Sequence, residues 1–251
     1  MRKRTKSPVR TVTIYILIFI LGVIVGNQIL IPSEPVQQLT SLPVQNYSAS
    51  ANILAVKSVD NSGVLGKVTV EIYPGKGRVL MNTNPFLEPD TQFSAETAVN
   101  VAQDYTEKDL SDKDVIISFD IGGKLLGGPS AGAAMAAATV AAIEEKGVKE
   151  DVAITGTILS SGEIGVIGGV IEKAQAAADT GMELFLVPEE LLYLTYYERE
   201  IKKQQIGPNF YIQRVNYVPK KLDLNNYTMT EFDMETKGVS TVGDVVTYMI
   251  E

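Results

Sequence analysis

A glycine-rich loop that leads directly into an alanine-rich helix restricts the fold of this chain more than any other feature. Residues 127–132 read Gly-Gly-Pro-Ser-Ala-Gly, and the predicted helix over residues 131–145 contains eight alanines. Because these side chains are so small, the helix can pack very close to its neighbours. Just before the loop, residues 115–119 form a short apolar run that is typical of a buried strand. The sequence therefore predicts an α/β domain with a serine, Ser130, where a strand passes into a close-packed helix.

The absence of two residue types limits which catalytic nucleophile and base this chain can use. The chain has no histidine and no cysteine, which excludes a Ser-His-Asp triad and a Cys-His pair. A covalent nucleophile would therefore be a serine that a lysine activates. Lys173 follows Ser130 by 43 residues, just after the glycine pair Gly168-Gly169. A lysine accepts a proton near neutral pH only when burial lowers its pKa, and the glycine pair allows the close backbone approach that such burial needs.

Each motif also has a plainer interpretation. Gly-Gly-Pro-Ser before a helix is ordinary helix-start chemistry, and a single lysine is more often solvated. A serine at this place is nevertheless suited to acyl transfer, because nearby backbone N–H groups, with Gly128 and Ala131 as supporting residues, can hold an oxyanion. A phosphate-binding loop of the small-molecule kinase type is an alternative for residues 125–133. ATP binding would favour the kinase, and a fluorophosphonate adduct on Ser130 would favour a peptidase.

The order of the motifs resembles the proteolytic domain of Lon proteases. The shared features are a strand, GPSAG, an alanine-rich helix, Thr155-Gly156 and G-x-x-G-x-I-G-G-x-x-x-K, between residues 114 and 188. The resemblance implies a Lon-like fold and a serine endopeptidase with Ser130 as nucleophile and Lys173 as general base. The resemblance also implies supporting residues around this catalytic pair, namely Thr155, Gly168 and Gly169. A catalytically inactive Lon-like binding module is the remaining alternative.

One position departs from the resemblance. Lon of the common bacterial type reads Asp-Gly-Pro-Ser, whereas Gly127 stands at the place of that aspartate. The missing carboxylate would have favoured the ammonium form of Lys173. Its loss is compatible with an active Ser-Lys dyad.

The N-terminal fifty residues predict a membrane anchor. Residues 1–10 carry five basic residues and no acid, residues 11–31 are almost wholly apolar, and residues 32–50 form a Pro-, Ser- and Gln-rich stalk. Twenty-one helical residues span about 31 Å, the thickness of the hydrocarbon core. A cleavable signal peptide is the competing interpretation, but the apolar run is long for one and lacks a small-x-small site at its end. We expect a single-pass anchor with a cytoplasmic N-terminus and the domain of residues 51–251 outside.

The net charge of the domain and the motifs that the sequence lacks exclude several classes of binding partner and cofactor. Without the five basic residues of the tail, the chain has 17 basic and 30 acidic residues. Such an acidic composition is unfavourable for binding nucleic acid. We expect no cofactor and no metal site. No G-x-x-x-x-G-K-[ST] occurs in the sequence and no length remains for an ATPase module. We therefore expect ATP-independent cleavage of unfolded or flexible polypeptides, by a homo-oligomer for which the resemblance implies a ring of six.

Residues 191–238 are the least interpretable part of the chain and hold six of its eleven tyrosines. Tyr193, Tyr196 and Tyr197 could form a lip over the cleft. The favoured interpretation makes them packing residues of an insertion.

Overall fold

The computed structural model describes residues 8–29, 47–123, 125–208 and 210–251, and the side chains of the first helix are described for residues 12–23 only. The helices are α1 (Pro8–Ile29), α2 (Pro89–Thr106), α3 (Gly132–Glu144), α4 (Val170–Asp179), α5 (Leu224–Phe232) and α6 (Val242–Met249). The strands are β1 (Tyr47–Val56), β2 (Gly63–Pro74), β3 (Val79–Met81), β4 (Phe86–Leu87), β5 (Lys113–Asp120), β6 (Leu125–Leu126), β7 (Val152–Ile154), β8 (Thr157–Ile158), β9 (Ile164–Gly165), β10 (Leu184–Pro188), β11 (Tyr193–Gly207), β12 (Phe210–Asp223) and β13 (Glu235–Val239).

The chain divides into two units, residues 1–43 and 44–251. In the first unit the structure describes α1, whose large apolar side chains between Val12 and Val23 are exposed. Within the described ranges, no helix is both long and apolar enough to cross a membrane. The structure therefore does not support the transmembrane helix predicted for residues 11–31. The predicted tail up to residue 7 and most of the predicted stalk, residues 32–46, lie outside the described residues.

A seven-stranded mixed sheet forms the centre of the second unit, in the order β13-β10-β7-β1-β2-β5-β3. Strands β1 and β2 form an antiparallel hairpin, and β5 pairs with the other edge of β2. On the opposite side, β7, β10 and β13 continue the sheet in parallel. Side chains along β2 alternate in burial, and Val68, Val70 and Ile72 are all buried. The predicted α/β fold class is confirmed.

The alanine-rich helix α3 is buried over most of its length between the sheet and α2. Eleven of its thirteen residues are buried, which fits the prediction of very close packing. One close approach is at Gly132, where an added Cβ would lie 2.6 Å from Ser94 Oγ and 2.7 Å from Ile158 Cγ2. A larger residue at this position would push α3 away from α2 and β8, so the glycine sets the start of the helix.

Residues 193–223 form a long antiparallel hairpin, β11 and β12, that is separate from the central sheet. Tyr193, Tyr196 and Tyr197 lie on β11, and all three are exposed. The favoured sequence interpretation made them packing residues of an insertion, and in the described structure their side chains do not pack into the core. Neither strand alternates between apolar and polar residues in a simple way, because both faces of the hairpin are largely exposed.

Candidate active site

Ser130 lies in a tight turn at the entrance to α3. After β6 the chain passes through Gly127 and Gly128 into a 3₁₀ turn over Pro129–Ala131, and α3 follows at once. Gly128 has φ 87° and ψ 147°, a conformation that residues with a Cβ rarely adopt. Pro129 has a fixed φ that suits the first position of the turn. The sequence Gly-Pro-Ser thus presents a half-buried serine at the start of a helix.

Lys173 lies in the first turn of α4 and is only 4% exposed. The glycine before α4, Gly169, has φ 68°, and an added Cβ would lie 2.7 Å from Val56 Cγ2. This close approach brings the first turn of α4 against β1, as the glycine pair predicted. Burial lowers the pKa of Lys173 from 10.5 to about 8, because removal from water disfavours the charged amine. A substantial fraction of the amine is therefore neutral at mildly alkaline pH.

Thr155 connects the lysine to the serine loop. Lys173 Nζ donates a hydrogen bond of 3.0 Å to Thr155 Oγ1, and this hydroxyl in turn donates to the Ser130 carbonyl oxygen at 3.5 Å. Thr155 is 1% exposed, and it directly follows β7, a central strand of the sheet. Among the described hydrogen bonds, none joins Ser130 Oγ to Lys173 Nζ; Thr155 links the lysine amine to the backbone carbonyl of Ser130 and not to its hydroxyl.

The serine loop is also held by the residue after Thr155. Gly156 N–H donates to the Ser130 carbonyl at 2.9 Å, and the Gly156 carbonyl accepts from Ala133 N–H at 3.1 Å. An added Cβ at Gly156 would lie 2.6 Å from Ile164 Cγ2. These contacts fix the turn that carries Ser130 against the end of β7.

A groove of about 1220 Å³ opens over Ser130 and Lys173. Gly128, Gly168 and Gly169 also line it, whereas Thr155 and Ala131 are buried and do not line it. Much of the remaining lining is apolar, including Val56, Val64, Ile121, Leu126, Val166 and Ile167. An apolar groove with a few convergent polar groups is typical of a substrate-binding site. None of Tyr193, Tyr196 and Tyr197 is among the lining residues, so the predicted lip is not found.

A carboxylate lies beside Gly127 although the residue itself has none. An added Cβ at Gly127 would lie 2.0 Å from Glu88 Oε2, and Glu88 also lines the groove. The lowered pKa of Lys173 has burial as its cause. Sequence analysis did not predict that Glu88, the residue before α2, lies at this place.

Comparison with known proteins agrees with this arrangement. Residues 62–193 match the Lon protease (S16) C-terminal proteolytic domain family. The chain belongs to this family. The matched region contains Ser130, Thr155 and Lys173, and it ends where β11 begins. The resemblance inferred from the order of the motifs is therefore confirmed.

Individual Lon proteases show the same relationship. The archaeal Lon protease of Halobacterium salinarum is 29% identical over 160 residues, which cover 60% of this chain and 22% of that protein. The archaeal Lon protease of Archaeoglobus fulgidus is 30% identical over 130 residues, 51% of this chain and 20% of that protein. The Lon protease of Fusobacterium nucleatum is 31% identical over 157 residues, which cover 59% of this chain and 20% of that protein. The chain thus spans about a fifth of the length of these Lon relatives.

Proposed function

We propose that this Lon-family domain is a serine endopeptidase in which Ser130 is the nucleophile and Lys173 the general base. The observation that carries the proposal is the buried Lys173 amine, which is linked through Thr155 to the Ser130 turn in an apolar groove. A lysine with a pKa of about 8 is neutral often enough to act as a base. In the proposed active state the Ser130 hydroxyl and the Lys173 amine lie within hydrogen-bonding reach of each other, roughly 2.6–3.2 Å.

The proposed reaction follows acyl transfer. Ser130 Oγ attacks the peptide carbonyl carbon while the neutral Lys173 amine takes the hydroxyl proton. As the C–N bond breaks, the Lys173 ammonium gives this proton to the leaving amine nitrogen, and the acyl group remains on Ser130. A water molecule then attacks the ester, Lys173 takes a proton from the water, and that proton returns to Ser130 Oγ. Backbone N–H groups of the Ser130 turn stabilise the oxyanion in both steps.

The groove indicates the class of substrate. Its apolar lining suits an extended polypeptide with apolar side chains, and a folded protein does not present its backbone in this form. With no G-x-x-x-x-G-K-[ST] in the sequence, we propose that the domain cleaves unfolded or flexible polypeptides without added ATP. Hydrolysis of unfolded casein should therefore proceed in ATP-free buffer, whereas a tightly folded protein should survive.

The central test combines covalent labelling with activity. A serine-directed fluorophosphonate should add to Ser130, as mass spectrometry of the labelled peptide would show. Ser130→Ala and Lys173→Ala should each abolish peptide hydrolysis, and the double variant should be no worse than either alone, because the two residues act as a unit. Ser161→Ala and Lys108→Ala, both at exposed positions, are the matched controls and should retain activity. Labelling of another serine, or full activity of Lys173→Ala, would refute the dyad.

The pH profile offers a second measurement of the same proposal. Because only the neutral amine is a base, the rate should rise with pH around the pKa of Lys173, about 8. Gly127→Asp should move this rise to higher pH if the added carboxylate approaches Lys173 and favours the ammonium form. ATP binding without labelling at Ser130 would instead support the kinase-like alternative.

The membrane anchor and the assembly are proposals that rest on the sequence and the family. The basic residues before the apolar run 11–31 favour an N-terminus in the cytoplasm and a domain on the other side of the cell membrane. The full chain should then resist carbonate extraction, and external protease should reach the domain in spheroplasts. For the domain we propose a homo-oligomeric ring of six. Fully active monomers in light scattering at tens of micromolar would contradict this ring.

A further inference from the structure

The first turns of α2 hold the Ser130 loop through three hydrogen bonds between side chains and backbone. Thr91 Oγ1 donates to the Gly128 carbonyl at 3.2 Å, and Ser94 Oγ donates to the Pro129 carbonyl at 3.3 Å. Asp90 Oδ1 accepts from Gly128 N–H at 3.3 Å. None of Asp90, Thr91 and Ser94 is among the residues that line the groove. Helix α2 therefore contacts the loop from outside the groove.

The two hydroxyl groups are buried, which makes their contacts hard to replace. Thr91 is 0% and Ser94 is 6% exposed, so water cannot readily substitute for a lost hydroxyl. The loop already lies close against α2, since a Cβ added at Gly132 would be 2.6 Å from Ser94 Oγ. The Pro129 carbonyl also accepts from Gly132 N–H within the 3₁₀ turn, so loss of the Ser94 hydroxyl removes one of its two donors and weakens the contact between the loop and α2.

These contacts fix the peptide planes on both sides of Ser130. In a trans peptide the C=O and N–H groups point in opposite directions. Because Ser94 holds the Pro129 carbonyl toward α2, the Ser130 N–H is turned away from α2. On the other side, Gly156 N–H holds the Ser130 carbonyl at 2.9 Å, which turns the Ala131 N–H away from Gly156. The orientation of both N–H groups next to the serine hydroxyl is therefore set by neighbouring elements.

We propose that Thr91 and Ser94 are positioning residues for Ser130 and for the backbone N–H groups that stabilise the oxyanion. This inference rests on the proposed peptidase function and goes beyond it, because it assigns a role to residues of α2 that do not line the groove. The two residues act only through the loop, so their loss affects the chemical step and leaves binding in the groove intact. Misplacement of a reacting group by about 1 Å can reduce a rate by about 100-fold.

The test compares Ser94→Ala and Thr91→Val with Thr91→Ser, which keeps the donating hydroxyl. Thr139→Val is the matched control, because Thr139 is also fully buried and donates to a carbonyl at 2.7 Å, that of Met135 within its own helix. Ser94→Ala and Thr91→Val should lower kcat by roughly 10–100-fold, with KM changed less than about twofold. Thr91→Ser should stay within about threefold of the original kcat, and Thr139→Val should change only the stability.

Two further readouts separate positioning from a merely structural role. Fluorophosphonate labelling of Ser130 should slow in parallel with kcat, while the midpoint of the pH profile stays unchanged because Lys173 and Thr155 are untouched. Amide hydrogen exchange of peptides over residues 128–132 should be faster in Ser94→Ala than in Thr139→Val, whether or not the variant is active.

The outcomes distinguish this inference from the proposed function. If the original protein is labelled at Ser130 and Ser94→Ala folds with unchanged kcat and exchange, the positioning role is wrong and the dyad stands. The same conclusion follows if Thr139→Val lowers kcat as much as Thr91→Val. If the original protein is neither labelled nor active, the proposed peptidase function is wrong, and the proposed role of α2 in catalysis is wrong as well.

Discussion

Replacement of Lys173 by methionine should make the domain more stable at neutral pH even as it removes the proposed base. Burial lowers the pKa of Lys173 from 10.5 to about 8, and one pKa unit corresponds to about 1.4 kcal/mol. At pH 7 the charged amine therefore costs the folded state roughly 3 kcal/mol relative to the unfolded chain. Methionine avoids this cost and leaves the buried Thr155 hydroxyl without its donor, which costs about 1 kcal/mol. The net expectation is a gain of about 2 kcal/mol.

The sign of the pH dependence follows from the direction of the shift. Since the folded pKa lies below the unfolded one, the penalty is fully present below about pH 8, shrinks as the pH rises and disappears above about 10.5. Between pH 7 and pH 10 the gain in the free energy of unfolding from the methionine should therefore fall by roughly 2–3 kcal/mol. The gain should thus have vanished at pH 10. At pH 7 a gain of about 2 kcal/mol raises the Tm of a domain of this size by roughly 4–8 °C.

The assay is urea unfolding followed by circular dichroism at several pH values. Both proteins should carry Ser130→Ala, so that self-cleavage cannot distort the comparison. The difference between Ser130→Ala and Ser130→Ala/Lys173→Met isolates the lysine, because every other titrating group is shared. Parallel pH profiles of the two proteins would show that the Lys173 amine is not desolvated, and the argument for a neutral base near pH 8 would lose its physical basis.

Two further predictions concern the framework of the site. Gly169→Ala should lower the free energy of unfolding by about 1–3 kcal/mol, because φ is 68° and the new Cβ would lie 2.7 Å from Val56 Cγ2. Gly168→Ala has open space at the same turn and should change stability by less than about 0.5 kcal/mol in the same denaturation experiment; an equal loss would refute the steric reason. Asp114→Asn should also destabilise the domain, because Asp114 pairs with Arg78 and accepts the backbone N–H of Lys76. These contacts hold the pKa of Asp114 well below its usual range, so its contribution is present above about pH 4 and is lost as the pH falls. Unfolding curves of the two proteins should therefore converge in acid, and a constant difference down to pH 2 would contradict this.

The sequence predicted the site better than it predicted the elements around it. Local signals determine where Ser130 and Lys173 lie, since glycines at 128 and 169 are needed for positive φ and proline favours the helix start. The contact of the serine loop with α2 could not be predicted, because Ser94 and Pro129 are 35 residues apart. The spacing of apolar residues along the chain does not indicate which distant carbonyl a serine hydroxyl will contact. The hairpin of β11 and β12 was missed for a different reason: with both faces exposed, it lacks the alternation that marks a half-buried strand.

The order of strands in the central sheet has a consequence for folding during synthesis. Strands β1 and β2 are neighbours along the chain and can form their antiparallel hairpin early, since this local pairing needs only a short loop. Strand β5 can join β2 once the segment that contains α2 has been made. The parallel partner of β1 is β7, about 100 residues further along, and β13 comes almost at the end of the chain. Until β7 arrives, the free edge of β1 is an open template for pairing with other chains. Slow translation between β5 and β7 should therefore favour aggregation of the nascent domain, and a chaperone that covers the β1 edge should prevent it.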